Sequence, residues 1–289
     1  MNDLSSNKAK IGNLIPIAKA IDSCMDYLMG SGQQDNPSWI PSGFPAIDMI
    51  TNGLETSSLI TIAGRPGMGK TALALDIALN NGFSSNKPTV IFSYEMSKEQ
   101  ILMRLLSKIS SVPLYDITNR RLTEQDLKTI TDAATELYKA KILIDDSYSY
   151  TAEEIRETCL RVHPGLVCID CFQMINNAFP PDTPIYDEIS AILKNTAEQI
   201  SAPVICLSQL PRSLETRDDK RPVLADIYSG IQEYSDVVIG LYRDNYYNFR
   251  DINCSPDSAE VIVLKNRWGN TGTARLAWNN ESASFHNIS

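Results

Sequence analysis

Apolar and polar residues come in blocks along most of this chain. Six short runs are almost continuously apolar: 59–63 (LITIA), 89–93 (TVIFS), 141–145 (KILID), 166–170 (LVCID), 203–208 (PVICLS) and 236–241 (DVVIGL). Such runs are expected of strands covered on both faces. Between them, apolar residues recur at helical spacing over 70–81, 97–109, 123–139, 151–162 and 185–200. Thr123 with Asp126 and Thr151 with Glu154 have the spacing of helix-start capping pairs. Repeated strand–helix–strand units predict an α/β fold with a mostly parallel central sheet. The tail changes character: EVIVLK (260–265) and TARLAW (273–278) flank NRWGNTG and predict a C-terminal β-hairpin.

The first residues follow a different pattern. Residues 1–12 read as a flexible tail. Over 13–29, Leu14, Ile17, Ala18, Ile21, Met25 and Leu28 fall on one helical face. Residues 30–42, rich in Gly, Ser and Pro, read as a linker, which leaves 43–289 as the main domain. A lone helix of this length is marginal in water. Its apolar stripe is therefore expected to pack on its own body or on a neighbouring subunit.

Composition narrows the class. Hydrophobic residues are 43% and charged residues 21% of 289, enough apolar material for a sizeable core. No apolar run approaches the ~18 residues of a membrane helix, and the N-terminus lacks a signal peptide's apolar core. A cytoplasmic protein without a membrane partner is expected. The net charge of -9 excludes whole-molecule attraction to nucleic acid, so a local basic patch would have to bind it. Six cysteines are too few for a disulfide scaffold. Cys168 and Cys171 form a CxxC on a predicted strand, where side chains three apart point to opposite faces. They read as small buried hydrophobes. His163 and His286 have no ligand-like spacing.

The sharpest chemical signal is Gly64-Arg65-Pro66-Gly67-Met68-Gly69-Lys70-Thr71, a G-x-x-x-x-G-K-T between a predicted strand and a predicted helix. Glycines let backbone N–H groups curl around phosphate oxygens, and the helix N-terminus adds its dipole. Lys70 supplies charge to the β- and γ-phosphates, and the Thr71 hydroxyl suits a Mg²⁺ shell. Hydrolysis further needs a carboxylate for the metal and a group that orients water. Asp170, ending LVCID at the carboxyl edge of the sheet, is the natural metal partner, with Asp145 and Asp146 as competitors. Glu95, just past a strand end, suits activation of water, or is a solvated loop residue. Gln209, past PVICLS, suits γ-phosphate sensing, or is an ordinary polar strand end.

Cations elsewhere leave alternatives open. Lys265 and Arg267, two apart, point the same way on an extended chain. They form a solvated surface, or reach a phosphate bound by a neighbouring subunit as an arginine finger does. Arg212, Arg217, Lys220 and Arg221, interleaved with acids, make a weak nucleic-acid signal over 211–222.

Several stretches together carry a resemblance. SGFPAIDMITNGLETSSLITIAGRPGMGKTALALDIA (42–78), VIFSYEMSKEQILMRLL (90–106), LVCIDCFQMI (166–175), EISAILKNTAEQISAPVICLSQLPRSLETRDDKRP (188–222), DVVIGLYRDNYY (236–247) and VLKNRWGNTGTARLAWN (263–279) resemble the motor domain of the replicative DNA helicases of the DnaB type, which share the RecA-like ATPase fold. The resemblance implies a P-loop NTPase core using ATP and Mg²⁺. It implies Glu95 as catalytic glutamate, Arg104 as an arginine near the nucleotide, Asp170 as the Mg²⁺-linked aspartate and Gln209 as the sensing glutamine. It implies Lys265 and Arg267 as paired cations reaching the adjacent subunit's ATP site, and 13–29 as a linker helix docking on a neighbour. A ring, expected to be hexameric, would act on single-stranded DNA, with a helicase loader, primase or another helicase subunit as partners.

Three features depart from the family. Its helical N-terminal domain, which precedes the linker helix, is absent from this sequence. The region 226–233 is about two residues shorter than the family's DNA-contacting loop, and Tyr228 stands where a phosphate-contacting arginine is expected. Tyr228, Ser229 and Gly230 are the candidate DNA contacts there, with Tyr228 either stacking on a base or packing the loop. The acidic net charge is the third. An ATP-driven ring translocase is the leading expectation, and a regulatory or scaffold ATPase that assembles with, loads or inhibits another helicase is the alternative.

Overall fold

The computed structural model describes residues 17, 18, 21, 25, 29, 38–176, 185–248 and 258–288. The chain divides into two units, 1–37 and 38–289. Most of the expected helix over 13–29 lies outside the described residues. Of it, Ile17, Ala18, Ile21 and Met25 are helical, and Ile17, Ile21 and Met25 are exposed.

The second unit opens with a small two-stranded ladder, β1 (Trp39–Ile40) with β2 (Leu54–Glu55), around helix α1 (Pro45–Thr51). The six expected strands follow as β3 (Leu59–Gly64), β4 (Thr89–Ser93), β5 (Ile142–Asp145), β6 (Leu166–Asp170), β7 (Val204–Gln209) and β8 (Val237–Tyr242), all mutually parallel. β9 (Ser258–Asn266), β10 (Gly272–Asn279) and β11 (Ser284–His286) continue the same sheet antiparallel from β8. The nine strands lie in the order β11-β10-β9-β8-β3-β7-β6-β4-β5. The expected hairpin is β9–β10. β11 has no counterpart in the expected elements, because three residues carry no period.

Alternation along β3 feeds two cores. Ile60 and Ile62 join one apolar cluster and Leu59 and Ala63 the other, as a strand covered on both faces requires. The first cluster packs under α2 (Lys70–Ser84) and the C-terminal strands. The second packs under α6 (Ala152–Val162) and α7 (Ile185–Ile200), which follow α3 (Lys98–Ser110), α4 (Leu114–Thr118) and α5 (Glu124–Leu137) along the chain. β5 departs from the expectation: it is the outermost strand, and Leu143 is left 48% exposed. Both expected capping pairs close as reciprocal boxes, Thr123 with Asp126 and Thr151 with Glu154, and Ser97 with Gln100 adds a third. Among the described residues, two further short α-helices are α8 (Ser229–Tyr234) and α9 (Asp244–Asn248). Among the described residues no helix is long and apolar enough to cross a membrane.

The CxxC does not split across the sheet. The strand ends at Asp170, so Cys171 lies beyond it, and Cys168 and Cys171 both join the first cluster.

Candidate nucleotide-binding site

β3 ends at Gly64 and α2 begins at Lys70, so the phosphate loop sits at the carboxyl edge of the sheet. Gly67 and Gly69 take φ of +81° and +99°, a left-handed region that only glycine adopts at little cost. Met68 is 1% exposed and serves the core, so it offers a ligand only its backbone. Lys70 Nζ donates to the loop carbonyls of Gly64 (3.0 Å) and Arg65 (3.4 Å). Burial pulls the Lys70 pKa down, against the nearby Asp170 and Glu95 carboxylates.

The Thr71 hydroxyl donates to Asp170 Oδ2 across 2.6 Å. Of the three candidate metal aspartates, Asp170 is the one in contact with the phosphate loop's threonine. Asp145 instead accepts from Ser147 and Tyr150, and Asp146 caps the amide of Lys98. Asp170 is 6% exposed, and burial raises its pKa, partly offset by the Thr71 hydrogen bond. The ligand atoms of Glu95, Asp170 and Cys171 lie within 4.8 Å of one another. The Cys171 thiol is hydrogen-bonded to Glu95, and burial raises its pKa. Thr71 and Asp170 present hard oxygen donors beside the phosphate loop, a set that fits Mg²⁺.

These groups open onto a cleft of about 330 Å³ lined by Pro66, Gly67, Gly69, Lys70, Thr71, Glu95, Arg104, Gln209 and Trp278. Burial lowers the Arg104 pKa against the pull of Asp170. The structure thus gathers Lys70, Thr71, Glu95, Asp170, Arg104 and Gln209 from β3–α2, β4, β6, α3 and β7.

Arg65 is different. Its side chain turns to Glu215, with Nε and Nη2 each 2.8 Å from Oε1, and Nη1 donates to the Leu210 carbonyl at 2.7 Å. It ties the loop to the segment after β7 and presents no guanidinium to the cleft.

Three groups escaped the sequence reading. Gln173 clamps the Gln209 backbone, donating to its carbonyl (3.1 Å) and accepting from its amide (3.2 Å). Trp278 walls the cleft, donating from Nε1 to Asn280 Oδ1 at 2.7 Å. Arg243 stacks 4.0 Å over the Trp278 ring and donates to the Gly67 carbonyl at 3.0 Å. An amide three residues past Asp170 was a usable signal for Gln173. Nothing local signalled the other two, since sheet topology alone brings β8 and β10 to the loop.

Lys265 and Arg267 do not line this cleft. Lys265 Nζ donates to the carbonyls of Gln232 (2.9 Å) and Glu233 (3.1 Å), near the end of α8. Arg267 pairs with Asp236 at 3.0 Å. Among the candidate DNA contacts, Arg212 is exposed. Arg217 is committed to Asp226 (3.0 and 3.1 Å), and Lys220 donates to the Arg217 carbonyl. Arg221 is bidentate to Glu260 at 2.7 and 2.8 Å. Tyr228 stacks on Tyr186, with ring centroids 6.1 Å apart. Gly230 is buried, and a Cβ there would lie 2.4 Å from Asp187 Oδ1. Ser229 begins α8.

A phosphate loop, an aspartate on its threonine and a glutamate beside both, at the edge of a parallel sheet, define a P-loop nucleotide-binding domain with the RecA-like α/β fold. Within that class the chain belongs to the DnaB-like helicase C-terminal domain family, whose model matches residues 39–287. It is 39% identical over 258 residues to the replicative DNA helicase DnaB of Geobacillus stearothermophilus, covering 86% of this chain and 56% of that protein. The chain thus spans about half the length of the curated relatives it matches. A solved ATPase domain superposes with a TM-score of 0.85 at 31% identity, covering 96% of this chain and 100% of that one. A DnaB-like replicative helicase, described with its interactions with primase, gives 0.82 at 30% identity over 96% of this chain and 68% of its own.

Proposed function

We propose that this domain is the motor of a ring-forming replicative DNA helicase that hydrolyses ATP between subunits and moves along single-stranded DNA. The observation that carries the reading is the 2.6 Å Thr71–Asp170 contact, with Lys70 and Glu95 in the same cleft. Glycine amides and Lys70 would hold the phosphates, and Thr71 and Asp170 would hold Mg²⁺. Bound Mg²⁺ supplies Lewis-acid charge at phosphate oxygens. Glu95 orients a water and takes its proton, while Arg104, lining the cleft, would add positive charge beside the phosphates. Gln209, at the end of β7, links the cleft to the segment 210–222 that would face DNA. The ring is a hexamer of this chain, in the cytoplasm. A primase is the partner that one structural relative's description suggests, with a loader or a second helicase subunit as further candidates.

The test is steady-state ATP hydrolysis with and without single-stranded DNA at one fixed salt, followed by strand displacement on a forked duplex. Several-fold stimulation and displacement support the motor. A second reading, a regulatory ring that does not unwind, draws on Tyr228 and Arg217, both engaged within the chain. Hydrolysis indifferent to DNA supports that reading. Tyr228→Arg separates the two further: tighter DNA binding with a steeper salt slope means that the loop faces DNA.

A further inference from the structure

Three strands and a helix converge on one buried carboxylate where β8 begins. Asp236 is 1% exposed. Its Oδ2 accepts from the Leu59 amide at 3.0 Å and from Lys194 Nζ at 2.8 Å, and its Oδ1 accepts from Arg267 Nη1 at 3.0 Å. The Asp236 carbonyl also accepts the backbone N–H of Arg267 at 2.8 Å. Lys194 is itself anchored on the Ser57 carbonyl at 2.9 Å. Arg267 is therefore held at two points, main chain and guanidinium, while its side chain stays 62% exposed. A guanidinium carries five donors in a rigid fork, so one side bound to a carboxylate leaves the rest directed outward.

Burying a carboxylate between two cations contributes little net stability, because desolvation offsets the attraction. What such a network does well is fix a direction. An arginine on a free tether loses rotamer entropy each time it meets a ligand, whereas a preorganised donor has already lost it. We propose that Asp236 is the positioning residue for Arg267, setting the guanidinium in the pose that meets the nucleotide held by the next subunit. The proposal rests on the shared interfacial site of the preceding reading. The same geometry assigns Lys265 to α8, whose last carbonyls it binds, so the two cations of the pair divide their work: Arg267 reaches outward and Lys265 joins β9 to the loop ahead of it.

Mixed rings test this, because a positioning residue for Arg267 must act on the neighbour's site and spare its own. Four chains are needed: Lys70→Ala, which has no competent phosphate loop; Arg267→Ala, which has no finger; Asp236→Asn; and wild type. Nucleotide binding, followed with a fluorescent ATP analogue, and thermal denaturation report on folding. Asp236→Asn alone is expected to lose at least about tenfold in kcat with KM nearly unchanged, less than the roughly 10³-fold or more of a missing arginine finger. Mixed with Lys70→Ala it should recover several-fold, since that chain lends a positioned Arg267. Mixed with Arg267→Ala it should not recover, since both chains lack a working donor.

Arg267→Ala mixed with Lys70→Ala is the control for the shared site. Failure of that control to recover sinks the interfacial reading and the proposal together. If the control recovers, full activity of Asp236→Asn, or its recovery with Arg267→Ala, or its failure with Lys70→Ala, overturns the role of Asp236 alone. Should Asp236→Asn not fold, Asp236→Glu reads the same position: it keeps the buried charge but lengthens the arm, and is expected to show the same one-sided defect. Full donor activity in Asp236→Glu overturns the proposal as well.

Discussion

The side-chain amide of Gln173 grips the backbone of Gln209 at both its polar groups, 3.1 Å to the carbonyl and 3.2 Å from the amide, and reaches Ser208 Oγ at 3.0 Å. The turn after the Asp170 strand is thereby fastened to the end of β7, so the metal-side carboxylate and the cleft's glutamine share one frame. Gln173→Glu keeps the acceptor and loses the donor, leaving the Gln209 carbonyl without its side-chain partner. A lost buried hydrogen bond of this kind costs about 1–3 kcal/mol. The variant is expected to melt several degrees lower and to lose ATP turnover, measured by calorimetry and steady-state kinetics. Unchanged turnover at lowered stability would reduce the clamp to a structural tie.

Glu95 stands beside Asp170 and Cys171 at the mouth of the cleft. General-base catalysis contributes about 10²–10⁴-fold. Glu95→Gln is expected to lose turnover in that range while binding ATP as tightly as the wild type, checked by single-turnover hydrolysis alongside equilibrium binding. Loss of binding in parallel would give Glu95 another role.

The Arg65 guanidinium faces Glu215 and Leu210, not the cleft. A charged hydrogen bond to a phosphate is worth about 1.5–3 kcal/mol, roughly tenfold or more in affinity. Arg65→Ala is therefore expected to leave nucleotide Kd within about threefold, and to alter instead the response of hydrolysis to DNA. A loss above tenfold in Kd would show that the side chain swings to the phosphates on binding.

Asp76 sits on the phosphate-loop helix α2, 3% exposed in its side chain, with Lys108 Nζ at 2.5 Å and the Phe285 amide at 2.7 Å. Burial raises its pKa from 3.8 to about 6, against the pull of Lys108. Between those two values the folded chain holds a proton that the unfolded chain has released. This group's contribution to stability therefore grows as pH falls through that window and is lost as pH rises through it. Asp76→Asn is expected to remove that component from the dependence of Tm on pH. Identical pH slopes for both proteins would contradict the shift.

Sequence periodicity was enough for the parallel sheet, because its strands are near-continuous apolar runs separated by helical patterns, although only the fold placed β5 at the exposed edge. The phosphate loop was equally legible, since its chemistry is contained in eight consecutive residues between a strand and a helix. Asp170, Glu95 and Gln209 were readable as strand-end polar groups, with Asp170 ahead of Asp145 and Asp146; the 2.6 Å contact of Asp170 with Thr71 was visible only in the fold. Pairing across the sheet was likewise beyond local pattern. β10 and β11 lie more than 200 residues from the phosphate loop, yet the order β9–β8–β3 brings Trp278 and Arg243 against Gly67 and Gly69. The basic residues after β7 show the same limit. Sequence counts charges, whereas only the folded chain reveals that Arg217 and Arg221 are already committed to Asp226 and Glu260. Local composition determined which elements form, because propensity and burial act over a few residues. Long-range packing decided which side chains meet, because that depends on strand order, which no short segment encodes.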